Sequence, residues 1–107
     1  MSVALLLTHK DDRRTMLPVA TEEVFERYWV PSSEQLGLEY VPLFQTGVRV
    51  TRDDLPLISQ ELDQLRAHFA AAYRDEVGEG LLQRVDLLAG ALAELQLARE
   101  TPDIYIG

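Results

Sequence analysis

Leu55-Pro56-Leu57-Ile58-Ser59-Gln60-Glu61-Leu62-Asp63-Gln64-Leu65-Arg66-Ala67-His68-Phe69-Ala70-Ala71-Ala72 is the stretch on which the fold turns. Leu55, Ile58, Leu62, Leu65, Phe69 and Ala72 step through it by three and four residues. A helical turn of about 3.6 residues stacks such positions on one face, which then needs an apolar partner. A second stripe, Leu81, Val85, Leu88, Leu92 and Leu95, follows after a break at Val77 to Gly80. Two apolar faces joined by so short a connection pack on each other, and the first half of the chain covers what remains.

Working outward, Pro56 must lie in the first turn of its helix, because deeper in it would cost a hydrogen bond. The first long helix therefore begins near Asp53 or Asp54 and runs to about Asp75. Gly78 and Gly80 form the linker, and the second helix runs from about Leu81 to Arg99, ended by Thr101-Pro102. Asp103 to Ile106 reads as a closing strand. At the other end, Val3 to Thr8 is a short apolar run with the length of a buried strand, and Lys10 to Arg14 is a solvated loop or hairpin tip. Thr15 to Val19 can return as a second strand, which Pro18 confines to an edge or makes irregular. Thr21 caps a helix whose first turn carries Glu22 and Glu23, where the helix dipole favours negative charge. Pro31 is expected to stop that helix, Ser32 or Ser33 to cap a further turn, and Gly37 to end it. Leu38 to Leu43 is apolar enough for a strand interrupted by Pro42, and Val48 to Val50 is a clearer one. This order predicts a single α+β domain over residues 1–107: a small, mostly antiparallel sheet with a C-terminal two-helix hairpin packed on one face.

A hydrophobic fraction of 47% and a charged fraction of 26% belong to a globular chain, not a disordered one. No apolar run has the length of a bilayer span, and the Val3 to Leu7 segment lacks a basic leader and a cleavage site. The expectation is a cytoplasmic protein without membrane attachment. Zero cysteines exclude disulfides, thiolate catalysis and cysteine-ligated zinc. Ten basic against eighteen acidic side chains leave a net charge of −8. Residues 1–50 hold five basic and seven acidic groups, net −2, and residues 51–107 hold five and eleven, net −6. A field of that sign repels nucleic acid and speeds encounter with a basic protein.

No phosphate loop, nucleophile elbow, paired-histidine zinc motif or EF-hand loop is present. His68 shares a helical ladder with Glu61 and Gln64, a poor ligand set, and His9 stands beside Asp11 and Asp12 in a polar turn. Neither predicts a metal, a cofactor or a catalytic group. Phe25, Tyr28, Trp29, Tyr40 and Phe44 form the densest aromatic group, readable as core or as a pocket, and a pocket would make the chain a small ligand-binding domain or enzyme. The two stripes also allow a seam between two copies, which would make the chain a homodimeric module. The remaining candidates are carboxylates: Asp53 and Asp54 at the head of the first long helix, Glu61 and Asp63 along it, and Asp75, Glu76 and Glu79 at the hairpin tip.

The segments Phe25-Glu26-Arg27-Tyr28-Trp29-Val30-Pro31, Leu36-Gly37-Leu38, Glu61-Leu62-Asp63-Gln64-Leu65 and Asp103-Ile104-Tyr105-Ile106-Gly107 give the chain a familiar layout. In them it resembles the small acidic immunity proteins that accompany bacterial polymorphic toxins. The resemblance implies a non-enzymatic inhibitor that occludes an effector or binds beside its active site, and it transfers no individual site residue. The expected partner is a basic protein, met by Trp29, Tyr28, Asp53, Asp54, Glu61, Asp63, Asp75, Glu76 and Glu79.

Overall fold

A computed structural model describes residues 2–107. Strands β1 (Ser2–Thr8) and β2 (Arg14–Thr21) form a hairpin whose tip closes through the His9 amide on the Arg13 carbonyl, with Asp12 at a left-handed φ of 64°. Strands β3 (Val48–Val50) and β4 (Asp103–Ile106) complete an antiparallel sheet of order β2-β1-β4-β3. Pro18 sits on an edge strand as expected. Ala4 exchanges both backbone hydrogen bonds with Gly107 (3.2 and 3.0 Å), so it faces β4, and Pro18 opposite it turns its missing amide to the open side. Arg84 donates to the Pro18 carbonyl there at 3.3 Å, covering part of an exposed edge.

The helix that begins after the Thr21 cap does not stop at Pro31. Residues 22–36 form one helix, α1, in three segments: α-helical Glu22–Val24, a π-turn over Phe25–Trp29, and α-helical Val30–Leu36. The Val30 amide reaches back to the Phe25 carbonyl, one residue further than in an α-helix. The wider turn starts a fresh α segment at Val30, so Pro31 falls in a first turn, where no amide is demanded of it. Ser32 and Ser33 are consequently buried inside the helix instead of capping a new one. Gly37 ends it at a φ of 71°, as expected. The strand expected at Leu38 to Leu43 is absent, because Pro42 lies in a 3-10 helix, Val41–Gln45.

Helix α2 (Leu55–Ala72) follows a capping box in which Thr51 and Asp54 exchange hydrogen bonds across a 3-10 turn, Arg52–Asp54. Helix α3 (Glu76–Leu97) starts five residues before the expected Leu81, so Gly78 and Gly80 belong to the helix and only residues 73–75 connect the pair. Asp75 is the reason: its side chain accepts from the Gly78 amide at 3.2 Å and nucleates the helix early. Gly78 is required in this turn, since a Cβ there would fall on the Tyr73 carbonyl.

Every position of the two stripes is buried except Ala72, which is exposed at the end of α2. Leu55, Ile58, Leu62, Leu65 and Phe69 join Leu81, Val85, Leu88, Leu92 and Leu95 in one core with Val3, Leu5, Val19, Val50, Ile104 and Ile106 of the sheet. The stripes thus pack on each other and on the sheet within one chain. Phe25, Trp29 and Phe44 are fully buried in the same core, with Trp29 stacked on Phe25 and edge-on to Phe69. Phe25, Trp29 and Phe44 are therefore core, whereas Tyr28 and Tyr40 are half-buried against it. Among the described residues, no helix is long and apolar enough to cross a membrane.

Candidate functional site

The carboxylates divide by what their oxygens already hold. Glu61 projects from α2 toward the start of the 3-10 helix and accepts from the amides of Glu39, Tyr40 and Val41 at 3.0–3.1 Å. Those are the orphan donors that any helix start leaves, supplied here with an acceptor from another element. Asp54 accepts from the Thr51 amide and hydroxyl and from the Tyr40 hydroxyl, each at 2.9 Å. The Thr51 amide, then its hydroxyl, then Tyr40 hold the Asp54 carboxyl below the usual carboxylate range. The same contact raises the Tyr40 phenol above its usual value. Asp75 caps α3. Each of the three thus already holds a structural contact within the fold.

Asp53, Asp63, Glu76 and Glu79 are exposed. They do not form one patch. Asp53 lies at the head of α2 and Glu76 beyond its other end, about 27 Å apart for an 18-residue helix. Trp29, expected at a partner surface, is fully buried and presents no surface to solvent.

What the fold does assemble is a groove of about 720 Å³ between the end of β2, helix α1 and the first turns of α3. Pro18, Val19 and Ala20 form one side, Val24 and Tyr28 the floor with Trp29 beneath it, and Val77, Gly80 and Leu81 the other wall. The π-turn of α1 supplies the Arg27-Tyr28-Trp29 part of this surface, and such turns recur at functional sites. Tyr28 packs edge-on against Tyr73 at 5.3 Å, and the Arg27 guanidinium lies 5.7 Å from its ring centre. The indole nitrogen of Trp29 and the hydroxyl of Ser33, both buried, have no hydrogen-bond partner.

Charge surrounds this apolar concavity. Glu23, Arg27, Glu76 and Arg84 line it. The two carboxylates and the two guanidinium groups balance, so the lining itself carries no net charge. Of the residues expected at the interface, Tyr28 and Glu76 line this groove with Trp29 beneath them, whereas Glu79 lines a separate shallow depression with Leu82, Gln83, Asp86 and Leu87, and Asp53 and Asp63 line neither. Pro18, Val19, Gly80 and Arg84 were not foreseen, because only the tertiary fold sets position 18 beside position 84. The one local signal was Gly80, a glycine inside an otherwise helical pattern.

The chain matches no protein-family model, and comparison with curated proteins and with solved structures gives no match.

Proposed function

We propose that this chain is a non-enzymatic binding protein of the immunity or antitoxin type, which inhibits a basic effector by covering its working surface. The observation that carries the reading is the groove at the hairpin tip: an apolar floor edged by the charged side chains Glu23, Arg27, Glu76 and Arg84. Interfaces of this kind combine a desolvated apolar centre, which supplies affinity, with a charged rim, which steers the encounter. The net charge of −8 extends that steering beyond the contact itself. The resemblance in layout to small acidic immunity proteins supports the same class of partner, and the protein encoded beside this gene is the first candidate to test.

The test is stopped-flow association with the protein encoded beside this gene, between about 0.01 and 0.5 M salt. The expected outcome is an association rate that falls at least tenfold across that range, with Glu76→Lys and Glu79→Lys reducing both the rate and its salt dependence. A rate indifferent to salt, or no complex, would overturn the reading.

A further inference from the structure

Alternate residues of the sheet, Leu5, Ile104, Ile106 and Val50 among them, enter the core, and the residues between them point to the opposite face. On that face they fall in transverse rows set by the strand register. Arg14, Thr8 and Asp103 form one row, Met16, Leu6, Tyr105 and Arg49 the next, and Pro18 and Ala4 a third. Met16 is 64% exposed, Tyr105 39% and Leu6 37%, so three apolar side chains stand side by side in water across three strands. Arg14 and Arg49 stand against Asp103 on this face, two minus one, or +1, in a chain whose net charge is −8. Two copies that meet here approach through a side free of the acidic excess.

Thr8 of β1 pairs with Arg14 on one side and with Asp103 on the other, which sets the two opposite charges about 5 Å to either side of β1. Both are exposed, and among the described residues neither has an ion-pair partner. A two-fold axis along β1 exchanges the two sides, so Arg14 of each copy falls over Asp103 of the other. The same axis lays Leu6 over Leu6 and Met16 over Tyr105. An axis across the strands would instead set both charges over the Pro18 and Ala4 row, where nothing pairs with them.

We propose that the open face of the sheet packs on the same face of a second copy, about a two-fold axis along β1. Sheets packed in this way lie about 10 Å apart with strands crossing at about 30°, an offset that an arginine side chain spans. Four strands about 4.8 Å apart and five residues of about 3.4 Å make a patch of roughly 19 by 17 Å. That is small beside the roughly 800 Å² per partner of a standard interface, so the dimer is weak, with an expected Kd of about 10–100 µM.

Sedimentation equilibrium from about 5 to 500 µM brackets that range and is expected to show a monomer passing into a dimer. Met16→Lys, at the most exposed of the apolar positions, is expected to keep the fold by circular dichroism and to weaken the dimer about tenfold, equivalent to about 1.4 kcal/mol. Arg14→Asp sets like charges together at two symmetric places and is expected to weaken it by about as much. Combining Arg14→Asp with Asp103→Arg reverses each pair and is expected to restore association to within about threefold of wild type. A protein that stays monomeric throughout would overturn the proposal and leave the face to a different molecule. A dimer indifferent to Met16→Lys would place the contact elsewhere and overturn it too. No loss in Arg14→Asp, or a loss that the double exchange does not rescue, would overturn the two-fold arrangement.

Discussion

Glu61 and Asp63 are two residues apart on one helix and chemically almost identical, yet the fold uses them differently. Glu61 is half-buried and holds three successive amides, whereas Asp63 is exposed. Glu61→Ala leaves those donors without an acceptor and is expected to cost about 2–3 kcal/mol. Asp63→Ala should stay within about 0.5 kcal/mol of wild type. Urea denaturation of the two variants checks this, and equal effects would contradict the assigned role of Glu61. Asp54 adds a pH signature. Its carboxyl is held below its unfolded value by Thr51 and Tyr40, so its stabilisation is full above about pH 4 and fades as pH falls through the lower folded value. Asp54→Asn should lose stability near pH 7 and show a shallower loss between about pH 4 and 2, measured as urea midpoints across pH. None of this was legible in the sequence: the partners of Glu61 lie 20–22 residues away, and a lone carboxylate on a helix looks the same whether it caps a distant turn or faces water.

At the scale of elements, the apolar period was readable because it obeys one rule everywhere: the stripe positions step by three and four, and all but Ala72 are buried. The boundaries were harder, because two local signals were overridden by their surroundings. Pro31 breaks an α-helix, but a π-turn before it removes the amide it cannot supply. Gly78 and Gly80 suggested a linker, but Asp75 caps the helix ahead of both, and glycine at 78 serves the close approach of Tyr73. The two open glycines and the crowded one therefore respond oppositely to a methyl group. Gly90→Ala and Gly80→Ala should each raise stability by about 0.5–1 kcal/mol through helix propensity. Gly78→Ala must displace the backbone at residue 73 and should lower stability by about 2 kcal/mol or more. Thermal unfolding of the three variants separates the cases, and a neutral Gly78→Ala would mean the hairpin connection yields easily.

For the whole molecule, the sheet and the helices carry different charge. The back of the sheet bears a transverse row, Met16, Leu6, Tyr105 and Arg49, in register across all four strands, with Arg14 and Asp103 at its corners. Most carboxylates instead crowd the helical side, across a body whose longest dimension is 41 Å. At about 0.01 M salt the screening length is roughly 30 Å, so charges over much of that body repel one another, whereas at 0.15 M it is about 8 Å. The ion pair between Arg66 and Asp86, at 2.7 Å across the two long helices, loses strength with salt, but an exposed pair contributes only about 0–1 kcal/mol. Repulsion among the excess carboxylates outweighs it. Salt should therefore stabilise the fold, with the urea midpoint rising between 0.01 and 0.5 M sodium chloride. Asp63→Lys replaces a negative by a positive charge on the exposed face of α2, a net change of about two units far from any helix start, and should raise the low-salt midpoint by the equivalent of about 0.5 kcal/mol. Glu79→Lys makes the same change of charge in the first turn of α3, where the helix dipole favours an anion, so its gain should be offset. At 0.5 M salt the Asp63→Lys difference should vanish. A midpoint that falls with salt would show that paired charges, not the net excess, govern the stability of this chain.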